Sequence, residues 1–307
     1  MAGTAGREVH GRKQKSGKAS AVFLILLSVL VLGCSSTSTP RPGNGEPLDY
    51  ALWDFTLYRN TDHRGLVDYE SIGEEDVFWQ FIGQINSARP SQMKSEAEQL
   101  AFWINAYNAL TVQLILDNQP VESITDIAGG LAGVAVPGIK SPWDVTVAII
   151  EGEELTLQEI EDDKIRAFGD ERIHFAINCA SLGCPPLHRE AFRPETLEEQ
   201  LDNVKLAFIA NERFNYLDDS TLHISKIFDW YEDEFKRAAG SVPQYLAPHL
   251  EKMFLKGYST RNRVPVPPEL LPSAEQLKVE HLPYSWDLNS IPQKEEGAAT
   301  ATPSDSH

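Results

Sequence analysis

Ser95-Glu-Ala-Glu98-Gln-Leu100-Ala-Phe-Trp-Ile-Asn105-Ala-Tyr-Asn108-Ala-Leu110-Thr-Val-Gln-Leu-Ile-Leu116 decides the architecture of this 307-residue chain. Ser95, followed three residues on by Glu98, has the form of a capping box and predicts a helix from Glu96 to Leu116. From Leu100 onward that helix is apolar nearly all round: Phe102, Trp103, Ile104, Tyr107, Leu110, Val112, Leu114 and Ile115 leave no polar face. A helix of this kind belongs in the centre of a domain, wrapped by the other elements. Asn105 and Asn108 sit three apart on it, hence on one face. Buried amides must find partners, so the pair either grips neighbouring backbone or orders a loop or a reactive group.

Working outward, the pattern is mixed. Leu48 to Leu57 is amphipathic and Phe78 to Ile85 reads as a helix ending near Pro90, with a turn at Asp62-His-Arg-Gly65 between them. A glycine-rich loop runs from Gly129-Gly130 to Pro142-Trp143, without the Gly-Lys-Ser/Thr ending of a phosphate loop. Val145 to Ile150 reads as a strand, Glu151 to Glu154 as a turn and Leu155 to Arg166 as a helix. The acids Glu159, Glu161, Asp162 and Asp163 read as its solvated face. Arg172 to Asn178 is an apolar run of strand length. Thr196 with Glu199 opens a further helix to about Ala210, and Leu222-His-Ile224 reads as a short strand. Phe228 to Ala238 and Pro243 to Leu255 read as two more helices, and Leu282 to Asn289 as the last ordered piece. The expected fold class is α+β: one helix-rich domain over 49–290, built round the buried central helix with a small sheet. A polar tail follows over 291–307 and is expected to be disordered.

The N-terminus carries an address. Arg7, Arg12, Lys13, Lys15 and Lys18 precede the apolar run Ala19 to Leu32, whose 14 residues fall short of a membrane span. The run closes on Val31-Leu-Gly-Cys34, which resembles a bacterial lipobox, although Leu32 is a less usual choice there. This predicts a signal peptide over 1–33, lipidation of Cys34 and a Ser/Thr/Pro tether over 34–48. In the lipoprotein class so resembled, a Ser directly after the cysteine, here Ser35, goes with delivery to the outer membrane, so the domain is expected to face the periplasm. Loss of 1–33 takes five basic and one acidic side chain, leaving 22 basic against 44 acidic, a formal charge of −22. Such a surface repels nucleic acid and anionic headgroups.

Two Cys and two His fall within His174-Phe-Ala-Ile-Asn178-Cys179-Ala-Ser181-Leu-Gly-Cys184-Pro-Pro-Leu-His188. In an oxidising compartment, with Cys34 lipidated, Cys179 and Cys184 have only each other and are expected to form a disulfide. A second reading makes Cys179 a thiol nucleophile, with His174, His188 or His223 as base and Asn105, Asn108 or Asn178 as orienting amide. A four-ligand zinc site has suitable ligand types but no standard spacing. Ser181 as a strand–helix elbow nucleophile conflicts with Pro185-Pro186, which stop the helix that motif needs.

The blocks Ala101 to Leu110, Ser141-Pro-Trp143, Leu157 to Arg166 with Ile160-Glu161, Arg172 to Leu187 and Tyr284 to Asn289 resemble the domain of unknown function 547 family. Their order fits that family over about residues 50 to 290, and the blocks are long and aromatic-rich. The resemblance implies a domain common in bacterial exported proteins and lipoproteins, without an established reaction. Asn105, Asn108, His174, Cys179, Ser181 and Cys184 fall on its motif blocks, and His188 falls outside them.

Two functional classes follow. One is an envelope binding or scaffolding module with a closed Cys179–Cys184 disulfide. Its partners would be the membrane, through acyl chains on Cys34, and an envelope protein, peptide or small ligand. The other is a cysteine hydrolase or acyltransferase acting on peptide or amide bonds through Cys179. The compartment favours the first. Neither requires a metal or other cofactor.

Overall fold

The computed structural model describes residues 43, 48–127, 141–255 and 271–292, all within one compact unit. Cys34, nearly all of the tether, most of the glycine-rich loop and the tail beyond 292 lie outside the described residues.

The central helix α4 runs Glu96–Asp117 and starts with the capping box that Ser95 and Glu98 predict, both halves being formed. From Leu100 to Ile115 every side chain is buried. Three shorter helices precede it: α1 (Tyr50–Asn60), α2 (Tyr69–Glu74) and α3 (Asp76–Ser87). Asp49 and Asp68 cap the first two, each accepting a hydrogen bond from a backbone N–H in the first turn. α1 and α3 lock together through Trp53, stacked on Phe81 with ring centres 5.7 Å apart.

On another side of α4 lies the hairpin β1 (Thr146–Ile150) and β2 (Glu153–Thr156). Its two turn residues, Glu151 and Gly152, both have positive φ, as a tight hairpin with matching twist requires. The turn is thus shorter than Glu151 to Glu154, and Glu153-Glu154 belong to the strand. The next helix starts at Leu157, with Thr156 as its cap, rather than at Leu155. Helix α5 (Leu157–Glu159) then widens into a π turn over Ile160–Ile165.

The largest departure from the sequence reading is Arg172 to Asn178. No strand forms there. Glu171–Phe175 is a 3-10 turn, opened by Asp170, whose side chain accepts from the Arg172 N–H. A short apolar run is buried equally well in either form, and here the cap and the grip of Asn108 on the following backbone decide it.

Helix α6 (Leu197–Ile209) follows. The expected helix from Phe228 is broken at Tyr231 into α7 (Ile227–Trp230) and α8 (Glu232–Ala239). Phe175, Phe208, Phe228 and Phe235 form the aromatic core between these elements. The expected helix from Pro243 is α9 (Val242–Leu246), a 3-10 turn and then a strand. That strand, β5 (Phe254–Leu255), joins β3 (Tyr216–Asp218), β4 (Thr221–Ile224) and β6 (Lys278–His281) in a sheet of order β5-β3-β4-β6. β3 and β4 are an antiparallel hairpin, while the two outer strands run parallel to their neighbours. The molecule is therefore a helix-rich α+β domain with small sheets.

Residues 282–292 form a strap across the front. It is held by backbone bonds from Leu182 to Asp287, Gly183 to Ser285, Leu288 to Glu122, and Val67 to Asn289. Gly183 is required at its place: a Cβ there would lie 2.8 Å from both the Ser285 carbonyl oxygen and the Tyr284 ring.

Candidate functional site: an aromatic-walled cavity beside a disulfide

The asparagines of the central helix have full employment. Asn105 donates to the carbonyls of Ala101 and Phe192 and accepts from the Phe192 N–H. Asn108 donates to the Ala176 carbonyl and accepts from the Asn178 N–H at 2.8 Å. Asn178 donates to the Pro185 carbonyl and accepts from the Ala180 N–H and from the Asn289 amide. These contacts fix the backbone on both sides of Cys179. None brings an asparagine to an imidazole.

The segment so fixed carries the Cys179–Cys184 disulfide. Its Cys179 sulfur, 3.1 Å from the Tyr284 hydroxyl, has no proton of its own, so the phenol is the donor in that contact. Ser181 lies within hydrogen-bond distance of the same hydroxyl, at 2.8 Å. Ser181 is buried, bridged to Leu288 of the strap and followed by a turn rather than a helix.

Both cysteines line a cavity of about 270 Å³. One wall is aromatic. Trp286 lies 5.6 Å from Trp143, 5.8 Å from Trp230 and 4.6 Å from Tyr284, measured between ring centres. The other wall carries the charge. Glu161, turned inward by the π turn, is buried and accepts hydrogen bonds from Tyr231 at 2.6 Å and Tyr107 at 3.2 Å. Arg166 donates from Nε to Glu234 at 2.8 Å and also pairs with Asp162. His174 is buried, stacked on Tyr231 at 3.6 Å, and held through Nε2 by Glu234 at 2.8 Å. Its Nδ1 has no partner among the described residues.

The electrostatics follow from these contacts. Burial pushes the Glu234 carboxyl up, but the His174 hydrogen bond and charge and the Arg166 guanidinium pull harder, to about 2. Burial raises the Arg166 cost of charging, yet its bonds to Glu234 and Asp162 leave its pKa above the ordinary value. Tyr107, Tyr231 and Tyr284 are all pushed up, chiefly by burial, so these phenols stay protonated as donors.

Of the imidazoles considered from sequence, His174 lines the cavity with Cys179. His188 instead bonds the Glu190 carbonyl and packs on Phe192, and His223 on β4 faces Tyr216 and Glu280. Among the described residues no group of three or more His, Cys, Asp and Glu is placed to hold a metal ion. Arg166, Tyr231 and Glu234 were not singled out by the sequence, and Glu161, read from sequence as part of a solvated face, is buried instead. The π turn hides Glu161 in what looks like a solvated stripe. The available signal was Ile160 and Ile165: both are fully buried although five apart, a spacing that an α-helix does not place on one face.

Residues 90–209 match the family described as "Protein of unknown function, DUF547". The match supports the family resemblance over that stretch, which includes Tyr107, Glu161, Arg166, His174 and both cysteines of the disulfide. The aromatic residues from α7 and the strap lie beyond it. No curated protein and no solved structure matches the chain.

Proposed function

We propose that this protein is a membrane-anchored binding module of the bacterial envelope. In this reading, acyl chains on Cys34 hold the domain to the outer membrane, facing the periplasm, and the cavity receives a small ligand. The anchor reading is supported by the sequence of residues 1–34. Among the described residues no helix is long and apolar enough to cross a membrane. The binding reading is carried by one observation: a cavity with one aromatic and one charged wall, in which the cysteine sulfur is tied up in a disulfide.

The test uses the full chain in dodecyl maltoside. A panel of small cationic, neutral and anionic compounds is titrated by calorimetry against the protein and its Trp230→Ala variant. Saturable binding by a panel member, weakened in the variant, is the expected result. A protein that takes up none of them is not the module described. For the anchor, Cys34→Ser should release the chain from the membrane fraction, and retention there would refute lipid attachment.

A second reading has its own observation. His174, held at Nε2 by Glu234 and with Nδ1 unpartnered, lines the same cavity as Cys179. Reduction of the disulfide would then place a thiol in the same cavity as an oriented imidazole, with Glu234 rather than an asparagine as the orienting group. Iodoacetamide should label Cys179 of the reduced protein faster than an unfolded control, and His174→Gln should abolish the difference. Equal rates would end the thiol-enzyme reading.

A further inference from the structure

Glu161 is a carboxylate with 7% of its surface exposed, on the wall of a cavity. Its hydrogen-bond donors are the phenols of Tyr107 and Tyr231. Among the described residues no Lys, Arg or His forms an ion pair with it. The cation on the same wall, Arg166, is committed to Asp162 and Glu234. A buried carboxylate has up to four lone-pair directions, and two phenols leave some of them open. Burying an uncompensated charge is costly, so such a site is built for a counter-charge that arrives from outside.

The rest of the lining says what carries that charge. Trp230, Trp286 and Tyr284 present ring surface, and ring faces are negative. Three carboxylates, Glu161, Asp162 and Glu234, against the Arg166 guanidinium and the His174 imidazole leave this wall net negative even with the imidazole charged, which disfavours an anionic ligand. A bare divalent cation would find too few oxygens, since hard cations take six or more. At about 270 Å³ the cavity is just below the usual range of ~300–1,000 Å³ for small-molecule sites, so the ligand is small.

We propose that the cavity binds an organic ammonium ion, its charge set against Glu161 and its alkyl body against Trp230, Trp286 and Tyr284. The inference rests on the binding reading above and names its ligand class. The chemistry is shared by free alkylamines and by amine-bearing lipid headgroups.

The experiment compares choline with its neutral isostere 3,3-dimethyl-1-butanol, and with benzoate, by calorimetry on the full chain in dodecyl maltoside. Choline is expected to bind at least about tenfold more tightly than the isostere. Glu161→Gln should erase that difference. Trp230→Ala, at a half-exposed position where folding is not at stake, should weaken choline by about fivefold. If the isostere or benzoate binds as well as choline, the ammonium inference is overturned while the binding reading stands. If no compound of any charge binds, in this set or the wider panel, both fall. Dihexanoyl phosphatidylcholine separates the two sources: displacing choline at equal or lower concentration assigns a lipid headgroup, and failing to displace it assigns a free amine. Both outcomes keep the inference.

Discussion

Two buried polar regions meet along residues 171–185, and they treat their polar atoms in opposite ways. In the asparagine lattice, each amide of Asn105, Asn108 and Asn178 has partners on both its oxygen and its nitrogen, mostly backbone. At the cavity, Glu161 has phenols but no cation, and His174 keeps an unpartnered Nδ1. The difference separates two uses of buried polarity. Where hydrogen-bonding capacity is exhausted internally, the residues build architecture. Where some is left over beside a cavity, the fold has stopped short of its own optimum, and that is where a ligand contributes.

The contrast can be broken by substitution. Asn108→Ala should have the largest effect, because it strands the buried Asn178 N–H and the Ala176 carbonyl together. A loss of about 3 kcal/mol in urea unfolding is expected; a loss below about 1 kcal/mol would remove the lattice from the architecture.

Glu234 comes next. Its folded pKa, about 2, lies below its ordinary value of 4.5. The folded state therefore holds this proton less tightly than the unfolded chain does. Its contribution is complete above pH 4.5 and is lost as pH falls toward 2. That contribution is about 2–3 kcal/mol. Unfolding of Glu234→Gln followed across this window should lack that part of the acid slope; an unchanged slope would contradict the ion-pair assignment.

Reducing the Cys179–Cys184 disulfide should cost about 2 kcal/mol, small because the closed loop is short. Thermal unfolding with and without dithiothreitol measures it, and a Cys179→Ala/Cys184→Ala variant should not respond to the reductant. Glu161→Gln should have the smallest effect and the opposite sign: stability unchanged or raised by up to about 1 kcal/mol, since an uncompensated buried charge is removed. Destabilisation by more than about 2 kcal/mol would move Glu161 into the architectural class and dissolve the comparison.

Much of the architecture was legible in the sequence because it rests on strong local signals. The Ser95–Glu98 cap, the all-round apolar helix and its two asparagines gave the centre of the fold, and the structure assigns those asparagines to backbone. The disulfide followed from the absence of other available thiols. The charged half of the site was not legible, for physical reasons. A π turn moves Glu161 off the face that an α-helical reading assigns to it. Glu234 sits beside Glu232 and Asp233 in the charged stretch of an amphipathic helix, and only tertiary packing places it between His174 and Arg166. Arg172 to Asn178 was misread because a short run of four apolar residues around His174 suits a strand and a buried turn equally.

The strap over 282–292 sets an order of assembly. Tyr284 touches Ser181 across 103 positions of sequence, and Asn289 touches Tyr69 across 220. Contacts that distant are slow to close, because a long loop must be restrained before they form. A nascent chain that has emerged only as far as α8 already possesses α4, the asparagine lattice and both cysteines, yet it has half a cavity. The disulfide can thus be made while its surroundings are still open, and the strap then seals Tyr284 over the Cys179 sulfur. The strap, arriving after α8, turns a core into a receptacle.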